Sequence, residues 1–199
     1  LWDFDGTLVD TELRWAEAEM AILASHGVKW EPERAKEFTG GPLIDICKAM
    51  TADMGGSLTV DEVRHELITM VSRFNREREV PWRPGVLDLL TEMREAGIPM
   101  AIVTGSAHAV VEPVLAAMTE RIGNPFGTVV TFDDVTPETA KPAPDPYLLA
   151  AERLGVSITD CLAIEDSPQG ATSATVAGAA VLTVTGLAEV GPGPRRVHR

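Results

Sequence analysis

Five short apolar runs set the frame for this chain: Leu1–Phe4, Pro99–Val103, Thr128–Phe132, Cys161–Ile164 and Ala179–Val184. Each is brief and rich in aliphatic or β-branched residues, as a strand covered on both faces requires. Helix patterns lie between them. Gly85–Ala96 puts Val86, Leu89, Leu90 and Met93 on one face and stops at Gly97; Ala107–Met118 and Pro146–Leu154 are similar, the second stopping at Gly155. Strand alternating with helix predicts an α/β fold with a doubly wound, Rossmann-like parallel sheet.

The stretch from Thr11 to Arg78 breaks that alternation. It carries helix patterns over Glu12–His26, Pro32–Phe38, Leu43–Met54 and Val60–Arg78 and no good strand; Thr59 and Glu62 have the spacing of a capping box. The expectation is a helical cap domain (13–79) inserted into a discontinuous core (1–12 and 80–199), with Val80–Gly85 as the return linker. A 199-residue chain that is 45% hydrophobic can supply one substantial core plus a small module. The chain starts at Leu1 without a methionine, so the first strand is expected to be longer than what is seen, and the closing GPGPRRVHR, with Arg195, Arg196 and Arg199, reads as a solvated tail.

Charge and composition exclude some partners. A net charge of −13 argues against nucleic acid, whose phosphates need Lys and Arg. No apolar run approaches the ~20 residues of a membrane span. The two cysteines, Cys47 and Cys161, are far apart, which suits a reduced, cytoplasmic setting. The sequence does not display the oligomeric state, and a monomer is the expectation.

Ligands of an open parallel sheet bind at the carboxyl ends of its strands. The first run ends in Asp3-Phe4-Asp5-Gly6-Thr7, the second in Thr104-Gly105-Ser106 and the fourth in Glu165-Asp166-Ser167, while Lys141 precedes a proline just before a helix. Each piece alone has a plain reading: Asp before Gly suits a turn, Ser106 and Ser167 suit helix caps, and Lys141 suits a surface loop. Together on one edge they make a site. Two carboxylates about 4 Å apart repel by roughly 4 kcal/mol at an effective dielectric constant near 20, so the Asp3–Asp5 pair needs a cation or a proton. An oxygen-only set of this density suits Mg²⁺. With Lys141, Thr7 and the amides after Gly6 it suits a phosphoryl group, one aspartate acting as nucleophile and the other carrying a proton.

Four motifs in this order, DFDGTLVD (Asp3–Asp10), VTGS (Val103–Ser106), KPAPDPYLLAAERLGV (Lys141–Val156) and EDSPQG (Glu165–Gly170), resemble the haloacid dehalogenase superfamily, over nearly the whole chain. The likeness is to the branch with a helical cap after the first strand, which contains β-phosphoglucomutase-like and phosphoglycolate-phosphatase-like enzymes. It implies an Mg²⁺-dependent phosphatase acting on a small phosphorylated metabolite through an aspartyl-phosphate. Asp3 would be nucleophile and metal ligand. Asp5 would be general acid, then base, and would lend its carbonyl to the metal. Thr104 and Lys141 would hold phosphate oxygens, with Gly6, Thr7, Gly105 and Ser106 around the phosphate. Asp166 would be a metal ligand, and Glu165 a ligand or its neighbour. The alternative is a sugar-phosphate mutase. Trp15, where mutases of this branch carry a histidine, and the arginine-free Thr39-Gly40-Gly41-Pro42-Leu43 favour hydrolysis.

Other residues are expected to be structural. His108, Arg73, Arg76 and Arg78 read as helix surface; Trp15, Trp30 and Trp82 as cap or linker packing; Met20, Met50, Met54 and Met70 as core filler; and Lys29, Lys36 and Lys48 show no sign of burial.

Overall fold

The computed structural model describes residues 1–199 apart from 32–33, 35–36, 39–40, 185–189, 192–195 and 199. In chain order its elements are α1 (Glu12–Ser25), α2 (Leu43–Asp53), α3 (Val60–Glu77), α4 (Val86–Glu95), β1 (Ala101–Val103), α5 (His108–Ile122), β2 (Thr128–Val130), α6 (Asp145–Leu154), β3 (Leu162–Glu165), α7 (Pro168–Ala177), β4 (Ala180–Thr183) and β5 (Arg196–His198).

The sheet is parallel throughout. β2 pairs with β1, β3 with β4, and β4 with β5. The first apolar run forms no named strand of its own, yet it joins the two halves. Trp2 bridges Ile102 on one side and Ile164 on the other, both in parallel, and Asp3 N–H donates to Ile164 O at 3.0 Å. The N-terminal residues therefore lie at the centre of the sheet, where strand order reverses, which is the ligand position of a doubly wound fold.

Side chains alternate across the sheet, and this sorts the core. Trp2, Phe4, Ile102 and Ile164 face one buried cluster, with Leu90, Val110, Val114 and the inner faces of α1 to α3. Ala101, Val103, Ala163 and Val181 face the other, under Tyr147, Ala150, Ala171 and Ala174 of α6 and α7. Alanines on both partners let those helices approach closely. The same alternation sends Asp3 and Glu165 toward α6 and α7.

The helices of the inserted stretch agree with their patterns. Thr59 and Glu62 form the capping box, each side chain bonding the other's backbone N–H. α3 packs on α1 and α2 and also on α5. The connecting segments run side by side, with Asp10 N–H donating to Pro81 O and Arg83 N–H to Leu8 O.

Several expectations need correction. Residues 196–198 are not solvated tail: they add β5 to the open edge of β4, whose backbone N–H and C=O groups call for a partner. Arg195 and Arg199 lie outside the described residues, as do most of the expected helix Pro32–Phe38, Lys36, and Thr39 and Gly40 of the cap loop. Met20 is exposed, whereas Met50 and Met54 are buried. Ser106 does not cap α5, whose N-cap is Ala107. Cys47 and Cys161 are free thiols, as expected. Among the described residues no helix is long and apolar enough to cross a membrane.

Candidate active site

The strand ends and the turn after Asp3 build one acidic pocket around a single ammonium. Asp3, at the central strand position, is buried, and so are Glu165 at the end of β3 and Asp166 next to it. Lys141 Nζ donates to Asp3 Oδ1 at 2.7 Å, to Glu165 Oε1 at 2.6 Å and to Val103 O at 2.8 Å. All three of its protons are therefore engaged. The side chain is only 9% exposed, so these ion pairs are shielded from water.

Glu165 is fully buried and has further donors. Tyr147 OH reaches Oε1 at 2.6 Å, and Ser167 Oγ reaches Oε2 at 3.0 Å. Ser167 also caps α7 by accepting from Gly170 N–H, with Pro168 opening the helix. Gly170 is there for room: a Cβ at that position would lie 1.8 Å from Glu165 Oε1. Gly6 answers two demands at once. Its φ of +78° suits glycine, and a Cβ would fall 2.0 Å from Asp166 Oδ2. The turn it makes is closed by Gly6 N–H to Val9 O at 2.7 Å and Leu8 N–H to Phe4 O at 2.9 Å.

Asp5 stands apart from that cluster, in a cradle of donors. Ser106 Oγ donates to Oδ2 at 2.5 Å; Thr11 Oγ1 and Trp15 Nε1 both donate to Oδ1, the indole at 3.1 Å. Thr104 Oγ1 accepts from Ser106 N–H at 2.9 Å, fixing the turn after β1. Thr7 Oγ1 lies 3.5 Å from Asp166 Oδ1, and Gly105 is exposed with open space around its Cα.

Burial and crowding of the carboxylates shift the groups of this pocket. Burial first, and then Glu165, push the Asp3 carboxyl well above the usual range. The same two causes push Asp166 up to about 7. Burial opposes the charge on Lys141, but Asp3 and Glu165 outweigh it and hold the ammonium above its ordinary value. Burial and Glu165 raise the Tyr147 phenol, which stays protonated and a donor. Burial leads the shifts at Asp3, Asp166 and Tyr147, and the neighbouring Glu165 carboxylate adds to each of them. Asp3, Glu165 and Asp166 each present an oxygen within 4.8 Å of the others, a spacing that could hold a metal ion.

Asp3, Lys141, Glu165 and Asp166 thus come together as the sequence suggested, with Asp5 and Ser106 beside them. Thr11, Tyr147 and Gly170 were not singled out, and Trp15, expected as packing, also donates to Asp5. Thr11 and Trp15 are one turn apart at the start of α1 and so share a face, a spacing that could have paired them with Asp5. Tyr147 sits inside the helix pattern Pro146–Leu154, and only its hydroxyl's partner reveals more.

Comparison with known proteins agrees with the geometry. The plasmid CbbY protein of Cupriavidus necator is 34% identical over 191 residues, spanning 89% of this chain and 74% of that one. Hexitol phosphatase A of Escherichia coli is 32% identical over 192 residues, spanning 95% and 83%. The crystal structure of CbbY from Rhodobacter sphaeroides in complex with xylulose-(1,5)bisphosphate superposes with a TM-score of 0.84 at 26% identity, covering 98% of this chain and 91% of that one. Residues 1–184 match the haloacid dehalogenase-like hydrolase family, and the chain belongs to it.

Proposed function

We propose that this protein is an Mg²⁺-dependent phosphatase that hydrolyses a monoester of a small phosphorylated metabolite, of the sugar-phosphate class, through an aspartyl-phosphate. The observation that carries the reading is the convergence of Asp3, Lys141, Glu165 and Asp166 at the central strand ends, with Asp5 held separately by Ser106, Thr11 and Trp15. The named relatives support the substrate class, since they include a hexitol phosphatase and a protein crystallised with a sugar bisphosphate.

The roles follow from position. The Asp3 carboxylate attacks phosphorus and the ester P–O bond breaks. Asp5, protonated, gives its proton to the leaving oxygen. Asp5 as carboxylate then takes a proton from water, which attacks the aspartyl-phosphate and frees inorganic phosphate. Ser106, Thr11 and Trp15 orient Asp5 for both transfers. Lys141 draws off charge that builds on the phosphoryl oxygens, and Thr104, Gly105, Ser106, Gly6 and Thr7 surround the phosphate. The acidic set fits Mg²⁺, with Asp3, Asp166 and the Asp5 carbonyl as its protein ligands. The ion would supply charge neutralisation at the phosphoryl oxygens. Monoester hydrolysis needs accelerations up to about 10²¹-fold, which explains the recruitment of nucleophile, acid, lysine and metal together.

Residues 13–79 act as a cap over this edge, the core being 1–12 and 80–199. Trp15 supplies its contact with Asp5, beside Thr11 of the core. Closure excludes water from the acyl-phosphate until Asp5 admits one molecule. Trp15 also bears on the mutase alternative: an indole N–H only donates, so it cannot take a proton from a sugar hydroxyl. Incubation with a hexose 1-phosphate separates the two, releasing phosphate in one case and the isomeric 6-phosphate in the other. The main test is phosphate release from a panel of phosphorylated sugars and polyols with and without Mg²⁺. Asp3→Asn should abolish it; turnover unchanged in that variant would refute the mechanism.

A further inference from the structure

Glu165 has no lone pair to spare. A carboxylate offers about four lone-pair directions. Oε1 accepts from Lys141 Nζ and Tyr147 OH, both at 2.6 Å, and Oε2 accepts from Ser167 Oγ at 3.0 Å and more weakly from Ser167 N–H at 3.4 Å. Asp3 differs: Lys141 occupies its Oδ1. Asp166 differs more: among the described residues its side chain accepts only from Thr7 Oγ1, at 3.5 Å. Proximity alone would make all three carboxylates metal ligands. Their hydrogen bonding divides them.

We infer that Glu165 is a positioning residue for Lys141 rather than a metal ligand, and that the Tyr147 hydroxyl is what keeps it so. The phenol is fully buried on α6 and its Oε1 partner is a charged oxygen, a bond stronger than one between neutral groups. It turns Oε1 toward α6 and Lys141. Gly170 completes the arrangement, since any side chain there would push the carboxylate out of its slot. The ion is then left to Asp3, Asp166 and backbone or water oxygens. That low protein-ligand count suits Mg²⁺, which keeps several waters, better than Ca²⁺, which takes six to eight oxygens and accepts bidentate carboxylates.

This inference rests on the proposed metal site, and one experiment tells the two apart. Mg²⁺ and Ca²⁺ affinities of the metal-free protein are measured by calorimetry for the wild type and for Tyr147→Phe, with kcat and KM on one active phosphate ester. Freeing a lone pair on Glu165 should tighten both ions, Ca²⁺ more than Mg²⁺ because it takes more oxygens and accepts bidentate carboxylates. It should lower kcat more than KM changes, because Lys141 loses its fixed anchor. A merely structural role for Tyr147 would weaken binding of both ions. Tyr147→Phe that folds and binds Ca²⁺ no tighter than the wild type overturns the inference. If Tyr147→Phe does not fold, Ser167→Ala, which removes the hydroxyl donor on Oε2, decides by the same criterion. A wild-type protein that binds neither ion sinks the metal site itself and this inference with it.

Discussion

Gly170→Ala sets two physical effects against each other with opposite signs. Gly170 occupies the first turn of α7. By helix propensity alone, alanine for glycine should stabilise by about 0.8–1.0 kcal/mol. The site predicts the reverse. The new Cβ would stand 1.8 Å from Glu165 Oε1, 2.0 Å from Cδ and 2.2 Å from Oε2, where approaches under 3.0 Å are essentially never seen. The carboxylate must retreat by at least about 1 Å. It cannot swing aside freely, because Lys141, Tyr147 and Ser167 all hold it. Losing two charge-assisted bonds at roughly 1.5–3 kcal/mol each gives a net loss of about 2–5 kcal/mol after the propensity gain. For a chain of this size that lowers Tm by roughly 10 °C. Displacing Lys141 by the same distance should lower kcat by about 10²-fold. Thermal denaturation and steady-state phosphate release, both with saturating Mg²⁺, measure the two effects. A Gly170→Ala protein with unchanged or higher Tm and unchanged kcat would show that the Glu165 carboxylate does not occupy this slot.

Other outcomes follow from the same geometry. The raised pKa of Asp166, about 7 where its ordinary value is 3.8, comes first from burial and then from Glu165; Asp3 shifts the same way. A raised folded value stabilises below the unfolded pKa and is lost as pH rises through the folded one. Metal-free protein should therefore lose stability between about pH 4 and 7 on this account. The Tm gain on adding Mg²⁺ should widen over the same range, and a gain that is flat from pH 5 to 8 in differential scanning fluorimetry would contradict the raised values. Trp15→Phe removes one donor from Asp5 while keeping most of the ring. A loss of about 1 kcal/mol corresponds to kcat falling several-fold with Tm nearly unchanged; a kcat equal to wild type would leave Trp15 as packing only.

How far the sequence reaches can be judged residue by residue. The parallel α/β pattern, the helical stretch after the first strand and the capping box at Thr59 and Glu62 all appear where local periodicity placed them. Such features depend on neighbours a few residues apart, so the sequence displays them directly. The cluster of Asp3, Lys141, Glu165 and Asp166 was legible for a related reason. Strand ends of a doubly wound sheet share one edge, so residues after each apolar run must meet there.

What the sequence could not state is which oxygen bonds which donor. Ser106, a helix cap when read alone and a phosphate contact by its motif, holds Asp5, and Tyr147, unmarked within its helix pattern, holds Glu165. Arg196–His198 reads as tail and instead extends the sheet, because an edge strand recruits whatever extended backbone the fold delivers to it. Periodicity along the chain therefore determined the elements and the edge at which the chemistry gathers. The pairing of hydroxyls and carboxylates across that edge joins Ser106 to Asp5, 101 positions apart. Only the packed tertiary structure, which brings such groups within 3 Å while excluding water, could decide it.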